Sequence, residues 1–490
     1  MAEQAERTDA DSFDVIVIGA GPVGEVLAGR VSEAGLSVVI VENELAGGEC
    51  SYWACMPSKA LLRPAAALHD ARSVAGARQA VGDGALDTAA VLARRDDFTH
   101  DWDDSSQVEW LDSVGVALVR GTGRLSGPRR VTVETSDGGS RELVARRAVA
   151  VCTGSRAVVP DLPGVSEAKP WTSRNATSAE SVPDRLVVVG GGVVGVEMAT
   201  AYQALGAQVT LLARGDGLLP SMEPFAGELV ADALRAAGAE VRLGASVTAV
   251  RRESAGGPVT VAVEDGGEVV GDQVLFATGR APRTEDLGLE RVGLEPGGWL
   301  DVDDSCRVTG VDDGWLYAVG DVNHRALLTH QGKYQARIAG DAIIARPGPG
   351  AELAEAGLDM RPWGAHAATA DTAGAPQVVF SLPEVASVGL TAAAAEAEGR
   401  RTKVVDYDLG AVAGAALFAD GYTGRARMVV DLDRGHLVGA TFAGPGVAEL
   451  LHSATVAVVG EVPIERLVHA VPAYPTISEV WLWLLESYRT

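Results

Sequence analysis

One local pattern occurs twice in this chain and restricts the fold more than any other feature. Residues 13–18 form a short apolar run that breaks into Gly19-Ala20-Gly21-Pro22-Val23-Gly24; a stretch of helical periodicity then continues to residue 34, and a second apolar run covers 36–41. The same order returns at 185–189, Gly190-Gly191-Gly192-Val193-Val194-Gly195, a helix to 205 and a strand at 208–212, about 170 residues further on. A strand, a glycine turn, a helix and a second strand read as a β-turn-α-β unit. Two such units predict an α/β chain. With 490 residues, 47% of them hydrophobic, there is enough apolar material for two to four domains.

Between the units, residues 91–114 read as helical, followed by β-rich segments at 117–125 and 130–134 and a strand ending in Cys152-Thr153-Gly154. A later run, 273–279, ends similarly in Ala277-Thr278-Gly279. Residues 345–376 are rich in Ala, Gly and Pro with little periodicity, and are expected to form a linker with a helix-compatible patch at 352–356. After it come strands at 377–380, 402–408, 425–431 and 437–442 and two closing helical stretches, the pattern of a separate α+β domain.

The glycines carry the first chemistry. Gly19, Gly21 and Gly24 follow a strand and open a helix, so backbone N–H groups and the helix dipole can approach a pyrophosphate unobstructed; Glu42, ending the next strand, is placed for a ribose hydroxyl. The alternative is a glycine-rich turn without a ligand. In the second unit Gly190, Gly192 and Gly195 have the same context, but the following strand ends Leu211-Leu212-Ala213-Arg214 with no acid. A cation there suits a 2′-phosphate, which favours NADPH over NADH, unless Arg214 is simply an exposed arginine on a loop.

A net charge of -25 and a pI near 4.7 oppose binding to nucleic acid or anionic lipid. No apolar run approaches the roughly 20 residues that span a bilayer, and the N-terminal dozen residues are polar and acidic, so the expected compartment is the cytoplasm. Four cysteines are too few for a secreted disulfide framework, and the histidines show no metal-binding spacing. Lysine is scarce: only Lys59, Lys169, Lys333 and Lys403 occur.

Two of the cysteines are close together, in Gly47-Gly48-Glu49-Cys50-Ser51-Tyr52-Trp53-Ala54-Cys55-Met56-Pro57-Ser58-Lys59. Thiols with four residues between them can close a small disulfide ring, and a helix N-terminus together with Lys59 stabilises a thiolate. Two buried cysteines adjacent by chance is the competing explanation. The segment resembles the redox-disulfide signature of the class I pyridine nucleotide-disulfide oxidoreductases, the family of dihydrolipoamide dehydrogenase, glutathione reductase and mercuric reductase. That resemblance implies that Cys55 contacts a flavin and that Cys50 attacks a substrate disulfide.

The resemblance extends over nearly the whole chain, through Thr153-Gly154-Ser155 with Pro160 and Leu162-Pro163-Gly164, then Ala277-Thr278-Gly279-Arg280 with Pro282. It assigns Gly48, Thr153 and Gly154 to FAD and Gly279 to NAD(P)H. Tyr317-Ala318-Val319-Gly320-Asp321 resembles the second FAD motif, whose aspartate, here Asp321, hydrogen-bonds the ribityl chain. Glu197 matches a glutamate that pairs with the lysine at Lys59 near the flavin; otherwise it is a glutamate on a helix surface. Residues 377–391 open what resembles the dimerisation domain, so a homodimer is expected.

One position departs from the family. Its disulfide reductases carry His-Pro-Thr-x-x-Glu near the C-terminus, the histidine serving the thiols as general acid and base; here the segment is Tyr474-Pro475-Thr476-Ile477-Ser478-Glu479. A phenol with an ordinary pKa of about 10 does not cycle protons at neutral pH. Tyrosine in this slot is similar to mercuric reductase and the soluble transhydrogenases, yet the sequence lacks the former's C-terminal cysteine pair and N-terminal metal-binding module, and keeps the redox pair that the latter usually lack. His469, five positions earlier, is a candidate substitute, but a histidine at a helix end is more often structural.

The sequence therefore predicts two Rossmann-like dinucleotide-binding domains and a C-terminal α+β dimerisation domain: FAD at 1–160 and 285–350, NAD(P)H at 161–284, a linker at 351–375 and an interface domain at 376–490. Electrons are expected to pass from NADPH, with NADH the second candidate, through FAD to Cys50/Cys55 and on to a disulfide-type or other small acceptor. A quinone or dye reductase, a transhydrogenase-like flavoenzyme, and a non-catalytic nucleotide-binding subunit are the alternatives.

Overall fold

A computed structural model describes residues 11–346 and 357–490. The first ten residues and 347–356 lie outside it, and with them the expected helical patch at 352–356 and the start of the linker. The chain divides into two compact units, each assembled from three separate segments: Met1–Met56, Thr99–Arg156 and Arg280–Thr372 in the first, Pro57–Phe98, Ala157–Gly279 and Ala373–Thr490 in the second.

The first unit is organised by a six-stranded sheet. Strand Ser12–Ile18 pairs in parallel with Val38–Glu42 on one side and with Ser140–Val151 on the other. Leu316–Ala318 adds to the last of these, in parallel, while Val116–Gly127 runs parallel to Val38–Glu42 and then antiparallel to Arg130–Thr135. Val15 and Val17 point into one core with Leu27, Ala28 and Ile40, whereas Ile16 and Ile18 point into another with Val131, Leu143 and Leu316. Both faces are covered, which is why the strands read as unbroken apolar runs rather than alternating ones. Helices Pro22–Glu33 and Thr329–Ala345 pack closely along one face; a Cβ on Gly332 would stand 2.6 Å from Val23 Cγ2, so glycine is required at that crossing.

The second unit contains a parallel sheet in the order Gln273–Phe276, Arg185–Val189, Gln208–Leu212, Glu240–Arg242. A three-stranded antiparallel sheet, Val247–Arg252, Val259–Val263 and Glu268–Gly271, accompanies it. The C-terminal part is a five-stranded antiparallel sheet ordered Pro376–Val379, Glu384–Gly389, His436–Gly444, Arg425–Asp431, Thr402–Asp408. Its core joins Val388, Met428 and Phe442 to Trp481 and Leu484 of helix Val480–Arg489. Buried Glu223 ties the two parts together, accepting from Arg427 at 2.6 Å and from the Ala392 N–H at 2.7 Å.

Two expectations need correction. The helix expected over 91–114 is two helices, Thr88–Phe98 and Ser105–Ser113, split by His100–Trp102, whose three residues all have positive φ. Asp103 restarts the chain by accepting the Ser105 N–H at 2.7 Å, a turn that competes with helix continuation. The two closing helices are three, Leu451–Val459, Ile464–Leu467 and Val480–Arg489. Among the described residues no helix is long and apolar enough to cross a membrane.

Candidate active site

The two glycine turns have the same construction. A Cβ on Gly24 would stand 2.0 Å from Gly19 O, and one on Gly195 would stand 1.9 Å from Gly190 O, so each helix start is pressed onto its own turn. Gly21 and Gly192, by contrast, have nothing within 4 Å on the Cβ side, which leaves the backbone at each helix start open to a ligand. In the first unit the Ala20 and Glu44 N–H groups each donate to Glu42 at 2.7 Å, fixing the carboxylate at the tip of its strand. Gly48 lies against Gly21, and the Thr153 Oγ1 is buried with no hydrogen-bond partner. An open glycine cradle, a fixed acid and an orphaned hydroxyl fit the dinucleotide end of FAD. In the second unit Gly279 is likewise open, and Arg214 is exposed just past strand Gln208–Leu212; these residues fit a nicotinamide nucleotide.

Asp321 follows strand Leu316–Ala318 and is held by a short relay: Ser155 Oγ donates to it, and Arg280 Nε donates to Ser155 Oγ at 2.6 Å. Burial raises the Asp321 carboxyl above the usual range, against the Ser155 hydrogen bond and the charge of Arg280. Arg283 reaches Glu49, beside Cys50, at 3.4 Å.

Cys50 lies in the short helix Gly48–Tyr52 and Cys55 is the first residue of helix Cys55–Arg72. Both are thiols, hydrogen-bonded to each other, and Cys55 Sγ is 3.3 Å from Thr329 Oγ1. The hydrogen bond with Cys55, burial and the charge of Cys55 push the Cys50 thiol well up; Thr329 and Lys333, one turn apart on the same helix, oppose the rise. A hydrogen-bonded dithiol gives up a first proton more readily than a second. The start of the Cys55–Arg72 helix favours the negative charge on Cys55.

In the second unit Lys59 Nζ and Glu197 Oε2 are 2.8 Å apart. Glu197 Oε1 accepts the Phe380 N–H at 3.0 Å, and the Lys59 ammonium lies 5.1 Å from the centre of the Phe380 ring. Glu197 is buried in its helix, Val193–Ala204, rather than displayed on a helix surface. Tyr474 is 75% exposed, and Glu479 Oε2 is buried without a hydrogen-bond partner. His469 is exposed. Among the described residues no group of three or more His, Cys, Asp or Glu side chains is arranged to hold a metal ion.

Sequence reasoning missed Thr329, which contacts Cys55, and Lys333, whose charge opposes the rise of the Cys50 thiol. Lys333 carried a signal, being one of four lysines in the chain.

The chain is similar to known proteins over most of its length. The family model described as pyridine nucleotide-disulphide oxidoreductase matches residues 13–339, and the dimerisation domain of the same family matches 375–485. Dihydrolipoyl dehydrogenase of Haloferax volcanii is 32% identical, with 98% of this chain and 96% of that protein covered. Mercuric reductase of Acidithiobacillus ferrooxidans is 33% identical over 81% of this chain and 68% of its own length. Among solved structures, LpdA of Mycobacterium tuberculosis superposes with a TM-score of 0.79 at 25% identity, covering 96% of this chain and 99% of that one. The HOCl-induced flavoprotein disulfide reductase RclA of Escherichia coli, at 23% identity and a TM-score of 0.80 over 97% of this chain and 99% of its own, has the same fold.

Proposed function

The chain belongs to the pyridine nucleotide-disulphide oxidoreductases, and on that premise we propose that it passes electrons from NADPH to the Cys50/Cys55 pair and from there to a small disulfide-type acceptor. It is an enzyme that uses FAD and NAD(P)H, so the reading as a non-catalytic subunit falls away. The match to the dimerisation domain supports a homodimer. The observation that carries the proposal is the hydrogen-bonded dithiol at the start of helix Cys55–Arg72, with Thr329 against it.

FAD, when bound, supplies the two-electron relay between nicotinamide and sulfur. This chain's residues hold and orient it: Gly19, Gly21, Gly24 and Gly48 at the pyrophosphate, Glu42 at the ribose, Thr153 and Gly154 at the opening, and Asp321, fixed by Ser155 and Arg280, at the ribityl chain. Gly190, Gly192, Gly195 and Gly279 take the nicotinamide nucleotide, with Arg214 for its 2′-phosphate. Lys59, anchored by Glu197, provides a fixed positive charge. Of the pair, Cys50 is the one that attacks the acceptor. We assign FAD to 1–160 and 285–350, the nicotinamide nucleotide to 161–284, a linker role to 351–375 and the interface to 376–490. A dithiol that must stay reducible suits the cytoplasm.

Anaerobic titration with NADPH and NADH separately tests the proposal. The expected result is a long-wavelength band from a thiolate against the flavin, reached with less NADPH than NADH; reduction with no such band would defeat it. A second reading rests on Tyr474 in the histidine slot: direct transfer to a quinone, a dye or another nicotinamide. Full turnover of such an acceptor by Cys50→Ser favours that reading, and its loss favours the first.

A further inference from the structure

His100, Asp101 and Trp102 are three consecutive residues other than glycine with positive φ, at 50°, 50° and 58°. The left-handed region is costly for a side chain and is visited mostly by single residues, so a run of three persists only where surrounding contacts over-determine it. The turn is closed by its own backbone, the Trp102 N–H donating to Thr99 O and the Asp103 N–H to His100 O, both at 2.9 Å. An ordinary right-handed turn makes the same kind of bond without the strain. What the left-handed run adds is the direction in which the residues that follow leave it.

Residues 102, 103 and 104 all reach the segment that carries Cys50, within the same unit. Trp102 Nε1 donates to Tyr52 O at 3.2 Å, the Tyr52 hydroxyl donates to Asp103 O at 3.3 Å, and Asp104 Oδ2 accepts the Ala46 N–H at 2.7 Å. Arg120 holds Asp104 at 2.6 Å and donates to Glu44 O at 2.9 Å. Residues 46–52 are thus gripped at both ends. Tyr52, 1% exposed, closes helix Gly48–Tyr52 and lies between the two cysteines in sequence. Carbonyls in the last turn of a helix have no partner inside it, and the Trp102 indole supplies one here. Gly47 completes the fit, since a Cβ there would stand 2.9 Å from Tyr52 Cε2.

We propose that the left-handed turn His100–Trp102 is a clamp on the redox loop, and that Trp102 is a positioning residue for the Cys50/Cys55 pair. It acts on the sulfurs through the backbone of Tyr52. With that backbone fixed, the dithiol already has its thiols side by side, and closing the disulfide removes less conformational freedom than it would from a loose loop. The clamp therefore favours the disulfide over the dithiol. The contacts of residues 102–104 offset the strain at 100–102, so releasing one of them lets the turn relax and the loop with it.

This inference rests on the reading that the pair cycles, and its test leaves out both nicotinamide and acceptor. The FAD-loaded protein is equilibrated under nitrogen with mixtures of reduced and oxidised dithiothreitol. Each protein disulfide formed converts one cyclic dithiothreitol disulfide to its dithiol, two electrons and two protons passing from the protein thiols to the reagent. The mixtures are quenched in acid, and the free thiols of Cys50 and Cys55 are counted by alkylation and peptide mass spectrometry. Trp102→Phe keeps a ring and loses the N–H; the equilibrium constant for disulfide formation should fall by about three- to tenfold, the worth of one hydrogen bond. Tyr52→Phe, which loses only the hydroxyl, should shift it in the same direction. An unchanged or raised constant in Trp102→Phe overturns the inference, and a lower Tm beside an unchanged constant shows a merely structural role. If that variant fails to fold, the same reading is taken from Tyr52→Phe. Failure of NADPH to reduce the pair would appear in the anaerobic titration and not in this measurement.

Discussion

Lys59 and Glu197 form a 2.8 Å ion pair in which both carboxylate oxygens are used, one by the ammonium and one by the Phe380 N–H. Glu197 is 5% exposed at the side chain and Lys59 37%, so the carboxylate carries most of the desolvation and the lysine is held in place by it. Glu197→Ala would leave the Phe380 N–H without its acceptor and Lys59 without its anchor. The expected loss is about 2 kcal/mol, read as a lower Tm, together with a slower reduction by NADPH. An unchanged Tm would mean that the pair contributes nothing to stability.

Gly24 allows no side chain. A methyl group 2.0 Å from the Gly19 carbonyl would push the helix off its turn and close the cradle. Gly24→Ala is expected to purify without its yellow flavin absorbance while the C-terminal sheet still folds; full flavin content in the variant would contradict the cradle assignment.

Arg214 is the residue on which the preference for NADPH depends. Removing a single cation to phosphate contact weakens binding roughly tenfold or more. In Arg214→Ala, KM for NADPH should rise by that factor while KM for NADH stays put. Equal changes for both nucleotides would assign Arg214 to something other than the 2′-phosphate.

Glu25, whose carboxyl is largely buried, links stability to pH. Its folded pKa, about 7, lies above the ordinary 4.5, so the native state binds the proton more tightly than the unfolded one. The contribution is therefore fully present below the unfolded value and is lost as pH rises through the folded one, a total of about 3 kcal/mol. Glu25→Gln, permanently neutral, escapes that loss. Its Tm relative to wild type should climb between about pH 5 and about pH 8, and parallel curves would show that the carboxyl titrates normally.

Much of this was legible in the sequence because local and tertiary demands coincide. Strands Arg185–Val189 and Gln208–Leu212 begin and end where the apolar runs do, since both faces of their sheet are covered. The break at His100–Trp102 was not legible: apolar positions such as Val91 and Leu111 continue a helical rhythm across it, while the turn is fixed by distant partners, including the Trp102 Nε1 donating to Tyr52 O. Val23 and Gly332 are separated by most of the first unit's chain. Only the packing of their helices makes them neighbours, and no spacing rule reaches across that distance.

The interleaving of segments bears on how the protein is made. Strand Ser140–Val151 receives its parallel partner Leu316–Ala318 from a later segment, with Val149, Ala150 and Val151 opposite Leu316, Tyr317 and Ala318. During synthesis the ribosome must deliver the whole of Ala157–Gly279 before that edge can be covered. Until then the nascent chain presents an open apolar strand edge, the kind of surface that recruits chaperones or pairs with a neighbouring chain. Truncated products ending before Leu316 should therefore be found in inclusion bodies, while the full-length chain buries the same edge as soon as its last partner strand emerges.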